Sequence, residues 1–261
     1  MNWHAIFYDF KRTLLKPSIL SGILLITFLG IGILLLLLDL FSSALPNSHD
    51  RQIFLRAFMQ YLLLGISIFS FFFPFIIIYI TFTTFVKPRS DGNLQFILVK
   101  PITRTQLMLV RFISGVLIII ISTVSFILLS ALVIQEIGNI EINFYDLSLA
   151  ILGILTSQIS FYSLTYFLAS LIKNTITYLG ITTGIYIILL VIGGILGLVS
   201  PSLSAIYSYI NPLSLSSLIM YSINPILTFK PLPYLIIISS ILWIVVPIYL
   251  ASEIYERTDY P

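Results

Sequence analysis

The sequence has no cysteine among its 261 residues. Disulfides, thiolate metal sites and cysteine nucleophiles are thereby excluded, and cysteine usage carries no information on redox compartment. Charge is the next scarcity: 9% of residues are charged against 59% apolar, and mean hydropathy is +1.10. Soluble domains carry roughly 25% charged residues, so most of this surface must face something other than water. A formal charge of +3 is too small to point to nucleic acid. The histidines, His4 and His49, fall on opposite sides of the first long apolar run, which leaves no pair for zinc. H-E-x-x-H and G-x-S-x-G are absent, and four scattered methionines do not make a copper path. No catalytic site, bound cofactor or metal is expected.

What is present is apolar length. A helix needs about 20 apolar residues to cross the hydrocarbon core, and the chain offers six such runs, at about 19–38, 60–86, 107–134, 147–172, 176–199 and 234–251. Backbone groups must be satisfied within lipid, so these runs read as helices. The strand alternation of an outer-membrane barrel does not occur. The fold class expected is an all-α polytopic membrane protein, with residues 1–261 as a single transmembrane domain. Pro74 falls inside the second run, where it predicts a kink. Within residues 1–17, Trp3, Ile6, Phe7, Phe10 and Leu14 recur at helical spacing, with Asp9, Arg12 and Lys16 opposite them. That pattern fits an amphipathic helix lying in the interface plane, and also a simple extension of the first span. No small-residue cleavage site follows the first apolar run, so this span is expected to be retained.

The basic residues set the orientation. With the N-terminus inside, Lys11, Arg12, Lys16, Lys87, Arg89, Lys100, Arg104, Arg111, Lys173 and Arg257 are inner, and Arg51, Arg56 and Lys230 are outer, ten against three. The acidic stretch Gln135–Asp146 also falls outside. A plasma-membrane protein with both termini cytoplasmic is expected.

The most structured inner segment is 87–106. Ser90 to Asn93 offers a turn or helix start, and Leu94, Ile97 and Leu98 form one apolar face. Pro101 ends that helix, and Thr103 with Gln106 has capping-box spacing for the next. Physics alone leaves two uses for such an element: lying on lipid headgroups, or docking into a groove of a cytoplasmic partner.

The run Asp91-Gly92-Asn93-Leu94-Gln95, through Lys100-Pro101-Ile102-Thr103-Arg104 to Arg111-Phe112-Ile113-Ser114, resembles the segment after the second span of type-2 ATP-binding-cassette exporter permeases. Gly92, Leu94, Pro101, Ile102 and Arg104 match that pattern. Asn93 and Gln95 replace its usual Thr and Glu, Thr103 its Ser, and Arg111 its common Lys. The resemblance implies that residues 91–100 are a coupling helix seated on a separate ATPase subunit, with Asp91, Gly92, Leu94, Ile97, Leu98, Pro101 and Arg104 at the contact. No G-x-x-x-x-G-K-[ST] loop occurs in this chain, so ATP would be used by the partner. It further implies a dimer of permease chains whose path runs between them, lined chiefly by the second and fifth spans.

In the fifth span, Gly180 and Gly184, like Gly193 and Gly197, have G-x-x-x-G spacing. They fit a subunit interface or packing within one chain. Thr81 and Thr84 near the inner end of the second span are candidates for the interface or path, and Gln158 in mid-span calls for an interhelical partner. Residues 200–233, with five prolines, read as short outer helices of a gate region or as a proline-rich loop. Two other function classes remain: a non-transporting scaffold or assembly factor whose basic loop binds headgroups, and a secondary carrier. The carrier is disfavoured because the span interiors contain no Asp or Glu.

Overall fold

The computed structural model describes residues 3–44, 58–91, 103–138, 141–221 and 232–257. Helix α1 (Trp3–Leu14) is followed at Pro17 by α2 (Pro17–Ala44). Helix α3 (Phe58–Thr81) runs without a break through a π-helical turn (Phe82–Val86) into α4 (Lys87–Ser90). Then come α5 (Arg104–Gly138), α6 (Phe144–Leu171), α7 (Thr175–Val199), α8 (Pro201–Ile210), a 3₁₀ turn (Pro212–Ser214), α9 (Leu215–Tyr221) and α10 (Pro233–Arg257). Among the described residues six helices are long and apolar enough to cross a membrane, and there is no strand.

The ends of these helices depart from expectation in one direction: charged residues prolong them. The second span reaches Ser90, so Lys87 and Arg89 are helical rather than part of a loop. The third, expected over 107–134, occupies Arg104–Gly138, which makes it about 52 Å long against a hydrocarbon core of about 30 Å. Glu136 therefore lies on the last turn of α5, and Asp146 in the first turn of α6, where a carboxylate suits the helix dipole. The cap expected at the start of the third span is present. Thr103 and Gln106 form a reciprocal capping box: the Gln106 amide donates to Thr103 Oγ1 at 3.3 Å and the Thr103 amide to Gln106 Oε1 at 3.4 Å. Asn143 and Asn174 cap α6 and α7, and Ser200 with Pro201 starts α8.

Helix α6 is the central post, packed on α10, α9, α3 and α5. On the membrane-facing side of the core, Ile19, Ile23 and Ile26 of α2 turn inward toward α3. Phe73, Phe69 and Phe126 stack in succession with centroids 4.5 and 4.3 Å apart, joining α3 to α5. Gly30 of α2 lets that stack approach, since a Cβ there would lie 2.7 Å from Phe126. Pro74 is buried inside α3. One turn earlier, the Phe71 carbonyl accepts a hydrogen bond from the Tyr186 hydroxyl of α7, the kind of side-chain partner that satisfies backbone groups near a helix proline. Of α7 only Tyr178, Thr182 and Tyr186 are buried, so most of this helix faces outward. The start of α5 and the end of α10 meet through the Thr105 hydroxyl and the Glu256 carboxylate. With the starts of α2 and α7 and the ends of α4 and α6, they form one basic end of the bundle.

Candidate functional site

The polar feature of that basic end is a cavity of about 290 Å³ between α1, the π-helical turn and the third span. Its walls are Asp9, Arg12, Thr13, Lys16, Thr83, Thr84, Pro88 and Arg111. Helix α1 creates it by the way it is rolled. Ile6 and Thr13 are buried, whereas Trp3, Phe7 and Tyr8 are exposed. At about 100° per residue, the inward direction falls on the seam between the apolar and charged stripes. The sequence expectation placed the charged stripe on the outer back of the helix. The structure instead turns Asp9 and Lys16 toward the bundle, with Arg12 at the rim.

Each wall residue has a traceable setting. The Ser114 hydroxyl, fully buried, donates to Asp9 Oδ2 at 2.8 Å and so ties α1 to α5. The Lys16 ammonium donates to the Thr83 carbonyl at 3.3 Å, within the π-helical turn. The Thr83 and Thr84 hydroxyls donate back to the Ile80 carbonyl at 3.1 and 2.7 Å. Arg111 is only 6% exposed, and its Nη1 has no hydrogen-bond partner. Burial, chiefly, and the neighbouring Arg12 push the Lys16 ammonium below its ordinary pKa; Asp9 partly opposes this.

Next to Arg111 runs a column of buried aromatics. Phe112 stacks on Tyr162 at 5.0 Å and meets Tyr166 edge-on at 5.4 Å. Phe85 in turn packs on Tyr166 and on Tyr255 of α10. Tyr166 donates to the Met108 carbonyl at 3.1 Å. Gly115 admits Tyr162 because any Cβ there would be 2.1 Å from the phenol oxygen.

Beside the cavity, Arg89 makes a second cross-helix link. Its Nη1 donates to the Ala169 and Ser170 carbonyls at 3.2 and 3.0 Å, at the C-terminal end of α6, where a cation suits the exposed carbonyls. Asp91 is exposed just after Ser90, and the Ser90 hydroxyl bonds back to the Lys87 carbonyl, so the chain turns here. Of the residues with an expected coupling role, Asp91 and Arg104 flank the segment, Arg104 half-buried at the first turn of α5. Gly92, Leu94, Ile97, Leu98 and Pro101 lie outside the described residues.

This layout coincides with a family match over almost the whole chain: residues 9–260 fit the sequence profile described as ABC-2 family transporter protein. The chain belongs to the ABC-2 transporter family. It is thus a permease component of an ATP-binding-cassette transporter, and a multi-pass membrane protein. No individually curated protein matches it significantly.

In this ABC-2 transporter the two glycine pairs of α7 have different surroundings despite identical spacing. Cβ atoms at Gly180 and Gly184 would meet nothing within 4 Å. At Gly193 one would touch Tyr207, and at Gly197 it would approach Ser204, both on α8 of the same chain. Thr81 is buried within the protomer, its hydroxyl 3.0 Å from that of Thr165 on α6, whereas Thr84 lines the basic cavity. Gln158 is buried in α6 and its Oε1 makes no hydrogen bond. Over 201–221 the proline-rich segment forms two short helices; Tyr209 of α8 accepts a bond from Ser239 of α10 at its backbone carbonyl. Sequence reasoning missed the cavity because its cations sit on separate elements. The available signal was the stripe Asp9, Arg12/Thr13, Lys16 repeating at helical spacing, together with an arginine inside the third span.

Proposed function

We propose that this chain is the permease subunit of an ATP-driven exporter, working as a dimer and driven by separate cytoplasmic ATPase subunits. ATP is consumed by those partners and not by this chain, which lacks the phosphate loop. The observation that carries the reading is the basic end of the bundle. There the segment after Asp91 emerges from a helix end that Arg89 fastens to α6, and it re-enters through the capped start of α5. A partner gripping that segment holds the second, third and fourth spans at one place. The basic end is then cytoplasmic, a reading the ten-to-three distribution of Lys and Arg supports, in the plasma membrane with both termini inside. The open face of α7 around Gly180 and Gly184 supplies the surface for the second permease chain. ATP-driven closure of the partners would rock the spans between inward- and outward-open states.

The test is co-purification with a tagged ATPase subunit, followed by ATP turnover of the reconstituted complex. Leu94→Asp and Arg104→Glu should each abolish stimulation of turnover by the permease while leaving its monomeric fold intact. Unchanged assembly and turnover in both variants would overturn the coupling assignment and favour a non-transporting membrane scaffold.

A further inference from the structure

We propose that the cavity between α1, the π-helical turn and the start of α5 is a phosphate-binding site, with Arg12, Lys16 and Arg111 as its ligands. The inference stands apart from the transport reading and requires only the geometry of the basic end.

Charge is the first argument. The walls hold three cations, Arg12, Lys16 and Arg111, against one carboxylate, Asp9. One oxygen of that carboxylate is already engaged by Ser114. Like charges gathered around one cavity, with Arg111 buried, Lys16 half-buried and Arg12 at the rim, repel one another unless a counter-charge joins them. Arg111 makes the point sharply: the residue lines the cavity, is more than nine-tenths buried, and its Nη1 has no hydrogen-bond partner. The depressed proton affinity of Lys16 has the same origin, burial with Arg12 close by.

Donor chemistry narrows the class. The Thr83 and Thr84 hydroxyl protons are committed to the Ile80 carbonyl, so the donors on the walls are guanidinium and ammonium groups with the Thr13 hydroxyl. Arginine forks match the oxygens of a phosphate, and lysine adds a point charge. At about 30 Å³ per water molecule, the 290 Å³ cavity has room for a phosphate group and several waters. Location then favours a source. The outward face of α1 carries exposed Trp3, Phe7 and Tyr8, aromatic residues of the kind that settle at headgroup level. A lipid phosphate would lie beside the opening, while inorganic phosphate could reach the same site from water.

The experiment uses the full-length protein, delipidated in detergent, with two probes. Native mass spectrometry titrates phosphatidylglycerol against phosphatidylcholine, and thermal unfolding compares inorganic phosphate with chloride at equal ionic strength. Arg12→Gln and Lys16→Gln sit at the cavity and should each weaken the effective probe about tenfold or more, the scale of a charge-assisted hydrogen bond. Lys11→Gln removes the same charge from the same helix but on its exposed side, and should change nothing. Selective retention of phosphatidylglycerol, lost in the two cavity variants, assigns the site to a lipid headgroup. Phosphate-specific stabilisation lost in the same variants, without lipid selectivity, supports the site with free phosphate as its source. Equal binding by wild type and both cavity variants, or an equal loss in Lys11→Gln, overturns the proposal. Arg111→Gln is a confirmatory third variant only, since its burial could compromise folding.

Discussion

Replacing Gly115 by alanine tests whether the aromatic column beside Arg111 is as tightly seated as it looks. The added Cβ would lie 2.1 Å from Tyr162 Oη, 2.5 Å from Cζ and 3.2 Å from Cε1. Ordinary carbon contacts are about 3.5–4.0 Å, so the end of the ring must retreat by more than about 1 Å. It has nowhere to go, being fully buried, stacked on Phe112 and held edge-on to Tyr166 at 5.8 Å. Overpacking of this kind costs about 1–3 kcal/mol. Better helix propensity returns up to about 1 kcal/mol, and because the ring is hemmed in the cost falls toward the upper end of that range, leaving a net loss of about 2 kcal/mol. For a chain of this size each kcal/mol lowers the unfolding midpoint by about 2–4 °C. Thermal unfolding of detergent-solubilised protein should therefore show a clear drop for Gly115→Ala and none for Gly180→Ala, whose Cβ meets nothing. In a Tyr162→Phe background the penalty should shrink without vanishing, because the 2.1 Å contact goes and the 2.5 Å contact stays. Tyr162→Phe alone should cost little, since its hydroxyl reaches the Arg111 carbonyl only at 3.5 Å. A Gly115→Ala midpoint at or above wild type would refute the packing argument.

Arg89→Gln should destabilise the protein by about 1–2 kcal/mol, the lower part of the range for hydrogen bonds to a charged group because Arg89 is half-exposed. Faster hydrogen exchange confined to the last turn of α6 and to 87–91 would check it; unchanged protection there would count against the link. The absence of native cysteine makes the subunit contact directly testable. Gly180→Cys in membranes should oxidise to a disulfide-linked dimer, whereas Gly193→Cys, covered by Tyr207, should not. The reverse order would move the second chain away from the half of α7 that holds Gly180 and Gly184.

The positions of the spans were readable because lipid enforces them: an uncharged run of 20 residues has no other way to satisfy its backbone there. Their ends were less readable, because Lys87, Arg89 and Glu136 mark where water begins and not where the helix stops. The Thr103–Gln106 cap was legible because both partners lie within one turn. The bond from Arg89 to Ala169 crosses 80 positions and left no local trace. For α1 the stripes were visible, but the seam between them was chosen by Ile6, Thr13 and the Ser114–Asp9 bond, which depend on α5. The G-x-x-x-G pairs of α7 are indistinguishable in sequence. Only the return of α8 along the same chain separates the covered pair from the open one.

The Arg89 link also bears on how motion is shared. Because one side chain grips two carbonyls of α6, a displacement applied just beyond Asp91 is delivered to two posts of the bundle together. The π-helical turn lies immediately behind that grip, a departure from regular helix of the kind that recurs at functional sites. The stretch from Lys87 to Ser90 is therefore a short helical handle held by α6 on one side and rooted in the π-helical turn on the other.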